Sequence, residues 1–294
     1  MPDAYIVRDV GSYGYNSFQS PDVELKRLIR QAEVGLSLER PIWTGAGLKP
    51  GMRVLDLGCG PGIVSSAMAE MVSDGFVHGI DASPELLNQA RKIQALRNTQ
   101  NLRFSEASIY ELPSELCDYD FAYARFLYQH LQEPGKASEQ IIQTLTPGGT
   151  VCIVDIDDAW LMLQPEPKGF QDFLSLAERG QEKRGGDRRV GRRLAAYLSE
   201  AGFEDVQTRV QVVTSHDLGM DAFLNITTGF KHEQVPEADK STAMNALEEI
   251  NKLKNTPGAW GAVGVFVCTG RKPIVSENDD VDQGQAKENV KNVH

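Results

Sequence analysis

The chain contains little cysteine and no long apolar run. Its 294 residues include four cysteines, at positions 59, 117, 152 and 268, and no two of them are spaced as Cys-x-x-Cys. This pattern favours a thiol-reduced protein of the cytoplasm. No apolar run approaches the ~18 residues that a membrane-spanning helix requires, and the first residues lack the basic and apolar stretches of a signal peptide. We therefore expect a soluble, intracellular protein without a membrane span.

Basic residues are also in deficit. The sequence holds 30 lysines and arginines against 41 aspartates and glutamates, which gives a net charge of −11. This surplus of negative charge repels a phosphate backbone, so no general nucleic-acid binding is expected. With 41% hydrophobic and 24% charged residues, the composition is globular and excludes collagen-like, coiled-coil and wholly disordered chains. The length fits one α/β domain with added helices.

Strand-like and helix-like patterns alternate from residue 52 onward. A short apolar segment is followed by a glycine-rich turn and then by apolar residues at helical spacing, and the cycle repeats. Ser83 is predicted to cap the second helix of this series, with Pro84 at its first position and an end near Arg97. Such alternation predicts parallel strands with right-handed crossovers. The predicted strands of the series are residues 52–57, 76–80, 102–106, 121–124 and 151–156.

The segments on either side of this series differ from it in pattern. Apolar residues at helical spacing predict a helix from Asp22 toward Trp43. The alternation ends after Asp158, where a long mixed insertion around two late strands, near residues 206–213 and 264–268, indicates a helical cap. The predicted division is 1–44 as N-terminal arm and helix, 45–158 as binding core, 159–272 as the rest of the sheet with the cap, and 273–294 as a disordered acidic tail.

The glycine-rich turn has the placement that a nucleoside-binding site requires. It follows the first strand in the stretch VLDLGCGPG, residues 54–62, where Gly58 and Gly60 let backbone and ligand approach closely. The helix after it presents free N–H groups at its first turn. Asp81 follows the second strand, where a carboxylate can accept hydrogen bonds from both hydroxyls of a ribose. The pattern therefore predicts an adenosine-type ligand at the ends of these strands.

The spacing of the glycines separates two classes of cofactor. Dinucleotide-binding dehydrogenases carry Gly-x-Gly-x-x-Gly, whereas this turn reads Gly-x-Gly-x-Gly with Ile63 in the place of that third glycine. Asp56 precedes the turn, where a carboxylate suits the ammonium group of a nucleoside that bears an amino acid. A nicotinamide oxidoreductase is therefore the less favoured interpretation.

At these residues the sequence resembles the class I S-adenosylmethionine-dependent methyltransferases. The resemblance covers residues 45–157, with a weaker likeness at 192–206. It rests on five segments in the family's order: VLDLGCGPG, GIDAS at 79–83, ELP at 111–113, ARFLYQHLQEP at 124–134 and LTPGG at 145–149. RLIRQAE from Arg27 and AGLKPGMRVLDLG are also similar to the small-molecule branch related to quinone and sterol methyltransferases. The resemblance implies a Rossmann-like α/β fold, with a seven-stranded, mainly parallel sheet, helices on both faces, an N-terminal helical arm and a helical cap insertion.

The resemblance also implies S-adenosyl-L-methionine as the cofactor. In such a site Gly58 and Gly60 would pass under the methionine portion, and Asp56 would face its ammonium group. Asp81 would hold the ribose, and Ala82 would lie beside the adenine.

The resemblance implies three more cofactor contacts. Arg125 and Phe126 would close the methionine end. Many relatives carry an aspartate that contacts the adenine amino group, and here the corresponding triplet, residues 107–109, reads Ala-Ser-Ile. Ser108 is therefore the expected adenine contact, although a serine accepts a hydrogen bond without the charge of an aspartate.

Three residues are candidates for the chemistry itself. His130 follows the fourth strand, where it would either remove a substrate proton as a general base or hold a backbone group. Asp157 ends the fifth strand with its neighbours, where it would orient a substrate hydroxyl or amine or remain in water. Tyr15, together with Tyr13, would fold over the sulfonium or pack on the core. No convincing third ligand accompanies the aspartates, so no metal is expected.

Two features of the predicted cap leave alternatives open. The basic run from Lys183 to Arg193 would bind a carboxylate or phosphate, or would form a solvated loop and helix face. The aromatic residues of the cap would form its core or line an apolar substrate pocket. They are Trp160, Phe170, Phe173, Phe223 and Phe230.

These patterns predict a methyltransferase of small molecules, of the kind found in secondary metabolism. The acceptor would be a small, partly apolar metabolite that takes the methyl group at oxygen, nitrogen or carbon by in-line displacement. Assembly into a homo-oligomer is left open. The alternative is a protein that binds S-adenosylmethionine without methyl transfer, either as a regulatory module or as a catalyst of rearrangement.

Overall fold

The computed structural model describes residues 12–15 and 20–274. Predictions for residues 1–11, 16–19 and 275–294, which include most of the tail, lie outside the described residues. The strands are β1 (Arg53–Leu57), β2 (Phe76–Asp81), β3 (Leu102–Glu106), β4 (Tyr119–Arg125), β5 (Leu145–Gln164), β6 (Glu204–Thr214) and β7 (Trp260–Arg271). The α-helices are α1 (Pro21–Gly45), α2 (Ile63–Met71), α3 (Pro84–Arg97), α4 (Pro134–Thr144), α5 (Phe170–Glu182), α6 (Leu194–Glu200), α7 (Ser215–Leu218), α8 (Met220–Thr227) and α9 (Lys240–Lys252).

The strands form one sheet in the order β3-β2-β1-β4-β5-β7-β6. β1 pairs in parallel with β2 and β4, and the outer neighbours β3 and β5 continue the parallel arrangement. β7 alone runs against its neighbours, since it pairs antiparallel with both β5 and β6. The predicted Rossmann-like, mainly parallel sheet of seven strands is confirmed.

Both faces of the sheet are covered, because successive side chains of a strand point to opposite sides. In β1, Val54 belongs to an apolar cluster with Trp43 of α1 and Met68 of α2. Its neighbour Leu55 belongs to a second cluster, which includes Ile141 of α4. The near-continuous burial of β1 is what a strand covered on both faces requires.

The local signals at α3 are confirmed. The Ser83 hydroxyl accepts a hydrogen bond from the Leu86 amide at 3.3 Å, and Pro84 is the first helical residue. The helix ends at Arg97, followed by Asn98 in the left-handed region with φ 55°. These signals fix the position of the helix that follows Asp81.

The prediction for the fifth strand was too short. β5 begins at Leu145 and ends at Gln164, so the segment predicted as an LTPGG turn lies inside an irregular strand start. A second register shift separates Ile156 from Leu161, which places Asp157 and its neighbours in a bulge within the strand rather than in a loop beyond it. The cause is pairing with β7, which continues to Gln164 opposite Trp260.

The cap comes from two insertions, one before and one after β6. Phe173 of α5, Phe223 of α8 and Ile250 of α9 pack into one apolar cluster with Leu161 of β5. Phe170 belongs to the same cluster, so core packing is the outcome for three of the five cap aromatics. No helix of the described residues combines the length and the apolar character that crossing a bilayer demands.

Candidate functional site

A cavity of about 660 Å³ opens at the carboxyl ends of β1, β2 and β4. Its position agrees with the rule that ligands of such sheets bind outside the carboxyl ends of the strands. Its volume lies in the range of small-molecule sites. Most of the predicted site residues line it: Tyr15, Asp56, Gly58, Gly60, Asp81, Ala82, Arg125, Phe126 and His130.

The glycine turn forms one wall because its backbone takes conformations that other residues avoid. Gly58, Gly60 and Gly62 all have positive φ, of 67°, 53° and 73°. A Cβ on Gly62 would lie 2.6 Å from the Phe104 ring, whereas a Cβ on Gly60 would meet no atom within 4 Å. Gly62 therefore serves protein packing, and Gly60 leaves open space in the cavity.

Asp81 links the end of β2 to the glycine turn that follows β1. One of its carboxylate oxygens accepts a hydrogen bond from the Gly60 amide at 2.8 Å, and the other accepts one from the Ser83 amide at 2.9 Å. A carboxylate oxygen can accept more than one hydrogen bond, because it has two lone pairs. The geometry fits the hydroxyl pair of a ribose at this edge of the cavity.

Asp56 lies behind the turn, and its residue is only 2% exposed. Its carboxylate accepts a hydrogen bond from the Ser65 hydroxyl at 2.5 Å. Burial raises the pKa of the Asp56 carboxyl to about 7, against the lowering effect of Ser65. A ligand cation beside Asp56 would stabilise the ionised carboxylate. This would offset the energetic cost of burying its charge.

Arg125 is held in place rather than free at the cavity wall. Its guanidinium forms an ion pair with Glu39 of α1, and Glu39 also accepts a hydrogen bond from the Tyr123 hydroxyl at 3.0 Å. The same guanidinium lies 4.4 Å above the Phe126 ring centre. Phe126 has a positive φ of 51°, an unusual conformation that turns its side chain at the end of β4.

The adenine side of the cavity differs from the prediction in one residue. Ala107 and Ile109 line the cavity, but Ser108 between them does not. The Ser108 hydroxyl accepts a hydrogen bond from the Tyr110 amide at 3.3 Å, as in a local turn. The structure therefore does not bring Ser108 to the other predicted cofactor residues.

His130 lies in the cavity wall under an N-terminal segment. Its Nδ1 is 3.0 Å from the Ser12 hydroxyl, and its ring centre is 5.2 Å from that of Tyr13. Burial, followed by the charges of Arg188, Arg27 and Arg184, lowers the pKa of His130 to about 3. The imidazole is neutral at physiological pH and is a weak base.

Tyr13 and Tyr15 place aromatic rings at the same wall. The Tyr13 hydroxyl donates to Glu24 at 2.8 Å, and the Tyr15 hydroxyl donates to the backbone oxygen of Pro21 at 3.0 Å. Both rings line the cavity. With their hydroxyls held by α1, both side chains are fixed at the cavity wall.

Asp157 is not brought to the cavity. Its side chain is fully buried and forms an ion pair with Arg192 at 2.5 Å. Asp158 pairs with Arg188 and Lys231 on another side of the bulge. The bulge thus directs both carboxylates toward cap residues, away from the predicted cofactor site.

Several cavity residues come from distant segments; in the sequence, Arg184 and Phe230 were only open alternatives, and no role was assigned to the others. These cavity residues are Arg27 and Gln31 of α1, Arg184 after α5, and Phe230 and Gln234 before α9. The basic run that contains Arg184 was visible as a charge pattern, but its contact with the cavity depends on tertiary packing.

The chain has relatives among known proteins. A family model described as "Methyltransferase domain" matches residues 48–183. An uncharacterized methyltransferase of Schizosaccharomyces pombe is 31% identical over 158 residues, which are 51% of this chain and 56% of that protein. The ubiquinone biosynthesis O-methyltransferase of Aromatoleum aromaticum is 30% identical over 174 residues, 55% of this chain and 68% of that protein.

The related proteins differ in the share of their length that this chain matches. The chain spans about half the length of the first curated relatives it matches, with 56% and 44% for two of them. Among solved structures, Haemonchus contortus phosphoethanolamine N-methyltransferase 2, in complex with S-adenosyl-L-methionine, superposes with a TM-score of 0.53 at 18% identity. That superposition covers 81% of this chain and 53% of the other, and it shows a shared fold.

Proposed function

This chain belongs to the class I S-adenosylmethionine-dependent methyltransferases, and on that premise we propose that it methylates a small, partly apolar metabolite. The proposal rests on the hydrogen bond from the Gly60 amide to the Asp81 carboxylate. It places a carboxylate at the end of β2 beside a turn that leaves open space in the cavity. The acceptor atom is oxygen, nitrogen or carbon.

The cofactor contacts follow from the positions of the residues around this hydrogen bond. Asp81 holds the ribose hydroxyls, and Ala82 borders the adenine. Gly58 and Gly60 pass under the methionine portion, and the buried Asp56 attracts its ammonium group. Ser108 makes no direct adenine contact in this proposal, because it does not line the cavity.

A second group of residues closes the other end. Arg125 and Phe126 shape the methionine end, where Glu39 fixes the guanidinium. Tyr13 and Tyr15 present their faces to the positive sulfur, a contact worth ~0.5–2 kcal/mol. These rings also exclude water from the reacting atoms.

The bound cofactor supplies an activated methyl group on a sulfonium centre. The protein contributes alignment, because the acceptor must lie in line with the bond that breaks. His130 is placed to accept or position a proton at its cavity-facing ring, and its low pKa favours an acceptor that is already nucleophilic. Asp157 acts at most by holding Arg192 and the bulge of β5.

The experiment measures turnover. Purified protein is incubated with S-adenosylmethionine and a fractionated extract of small metabolites, and S-adenosylhomocysteine and singly methylated products are followed by mass spectrometry. Both should appear together. Binding of the cofactor without either product would favour the alternative of a regulatory or rearrangement-catalysing protein, and binding of a nicotinamide nucleotide in its place would refute the proposal.

Two further predictions concern the whole protein. We propose that residues 159–272 carry the substrate region, since Arg184 and Phe230 from this part line the cavity. A cytoplasmic location is supported by the free, half-buried thiol of Cys117. Homo-oligomerisation remains a prediction, to be tested by light scattering.

A further inference from the structure

The basic run between Lys183 and Arg193 is divided by the fold into paired and unpaired charges. Four of its arginines face carboxylates, and Lys183 is exposed and does not line the cavity. Only Arg184 of the run lines the large cavity, and no described carboxylate lies within ion-pair distance of it. The four pairs are Arg188–Asp158 at 2.9 Å, Arg189–Glu178 at 2.6 Å, Arg192–Asp157 at 2.5 Å and Arg193–Asp187 at 3.1 Å.

The backbone around Arg184 holds its side chain at the cavity. Its guanidinium makes a long hydrogen bond of 3.5 Å to the backbone oxygen of Gln234, and its own backbone oxygen accepts from the Gln132 side chain at 3.3 Å. Gly185 follows with a φ of 84°, and a Cβ there would lie 2.2 Å from Gln132. The backbone of this turn is therefore tightly fitted against Gln132, while Arg184 itself is exposed to solvent.

The surroundings of Arg184 are rich in positive charge. Arg27 also lines the cavity, but Glu24 neutralises it at 2.6 Å. Behind them Arg188 and Lys231, both almost fully buried, share the single carboxylate of Asp158. This end of the cavity therefore holds more cations than anions.

The titration of nearby groups agrees with this surplus. The charges that act on His130 after burial are those of three arginines, and they lower its pKa. Burial and then the charge of Arg188 lower the pKa of Lys231, against the effect of Asp158. The carboxylates Asp56 and Asp81 line the same cavity at the carboxyl ends of β1 and β2, so its lining carries charges of both signs.

We propose that the methyl acceptor carries a carboxylate, which pairs with Arg184 at the cap end of the cavity. This inference rests on the proposed methyltransferase function, since it assumes that the cofactor occupies the end with Asp56 and Asp81. Among the described arginines that line the cavity, Arg27 and Arg125 have carboxylate partners and Arg184 has none, so a carboxylate on the ligand would supply its partner. A planar guanidinium also matches a carboxylate in two parallel hydrogen bonds.

The body of the acceptor is apolar and preferably planar. The Phe230 ring lines the same cavity as Arg184 and is flanked by the Arg27 guanidinium at 4.6 Å and by that of Arg188 at 5.4 Å. Leu28 and Leu131 add aliphatic surface to the same cavity. An acid with an aromatic or extended apolar body satisfies both the charge and the lining.

The test compares acids with neutral molecules of the same shape. Protein saturated with S-adenosylhomocysteine is titrated by calorimetry with benzoate, phenylacetate, cinnamate and octanoate, and with the primary amide of each. We expect at least one acid to bind about tenfold more tightly than its amide, the scale of one hydrogen bond to a charged group. Arg184→Gln should abolish that preference, Arg184→Lys should retain most of it, and Lys183→Gln, which removes the same charge from an exposed neighbour, should leave it unchanged.

The binding of S-adenosylhomocysteine distinguishes failure of the proposed function from failure of the carboxylate proposal. If the wild-type protein does not bind it, the proposed function fails. If it binds normally but no acid is preferred over its amide, or if Arg184→Gln keeps the preference, the carboxylate proposal fails and the methyltransferase proposal stands. An equal loss in Arg184→Gln and Lys183→Gln would also overturn it, because a general charge effect would then suffice.

Discussion

The Asp81 carboxylate accepts a hydrogen bond from the Gly60 amide at 2.8 Å, so the end of β2 is bound directly to the turn after β1. A single side chain thereby fixes the turn and, in the proposed site, faces the ligand. Its loss would affect both, because the proposed ribose contact would disappear and the Gly60 amide would lose its partner.

We expect Asp81→Ala to weaken binding of S-adenosylhomocysteine about 10- to 100-fold, since hydrogen bonds to a charged group contribute ~1.5–3 kcal/mol. Isothermal calorimetry measures the change. Asp74→Ala, which removes an exposed carboxylate in the turn after α2, serves as the matched control and should bind normally. Unchanged affinity in Asp81→Ala would remove this residue from the site.

The raised pKa of Asp56 predicts a pH dependence of cofactor binding. Only the ionised carboxylate attracts an ammonium group, and the protonated form predominates below a pKa of about 7. Affinity for S-adenosylhomocysteine should therefore fall as the pH is lowered from 7.5 to 5.5, by up to about tenfold per unit.

Two variants assign this pH dependence. Asp56→Asn should bind weakly and show a flat profile, because the titrating group is gone. His130→Asn should keep the wild-type slope, since a pKa of about 3 places the His130 titration outside the range. A flat wild-type profile would contradict the role given to Asp56.

The glycine turn predicts different outcomes for two similar substitutions. Gly60→Ala and Gly62→Ala both force a positive φ on alanine, so that cost is shared. Gly60→Ala adds a methyl group to the open cavity and should reduce S-adenosylhomocysteine affinity at least about tenfold. Gly62→Ala should instead lose a further ~1–3 kcal/mol of stability, because its Cβ meets Phe104 and Ala90.

Urea unfolding and calorimetry on both variants separate these effects. Equal losses of affinity at equal stability would mean that neither glycine faces the ligand more closely than the other.

The buried charge cluster predicts an asymmetry between its members. Asp158→Asn leaves Arg188 and Lys231 without a carboxylate and should cost ~3–5 kcal/mol in the free energy of unfolding. Lys231→Met retains the Arg188–Asp158 pair and relieves the burial of a second cation, so its loss should be clearly smaller. Urea denaturation at pH 7 measures both.

Asp157→Asn is the control for that series. Its partner Arg192 is 47% exposed and can be hydrated when the pair is lost. We expect a smaller cost than for Asp158→Asn and no change in cofactor affinity, because Asp157 does not line the cavity. A larger effect at Asp157 than at Asp158 would contradict the proposed cluster energetics.

The cofactor end of the site was predictable because its signals are local. The glycine turn and the Ser83–Pro84 helix start each depend on backbone conformations that only a few residue types favour. Asp81 follows from its place at the end of a strand. Parallel strands with short connections then bring these neighbours in sequence to the same edge of the sheet.

The cap end was not predictable in the same way. The position of Arg184 depends on α5 packing against α9 and on the Gln234 backbone, none of which leaves a local pattern. Asp157 was expected at a strand end, but pairing between β5 and β7 continued the strand beyond it and turned the carboxylate toward Arg192. Ser108 was also not predictable from the sequence, since its hydroxyl accepts a local hydrogen bond from the Tyr110 amide and the residue does not line the cavity.

The paired strands β5 and β7 pass from the central sheet into the cap, with Cys152 opposite Thr269 at one end and Leu163 opposite Gly261 at the other. The two parts therefore share a ladder of backbone hydrogen bonds and are not connected by a linker about which one could swing. Amide hydrogen exchange should accordingly be slow at both ends of this ladder, in the central sheet and in the cap.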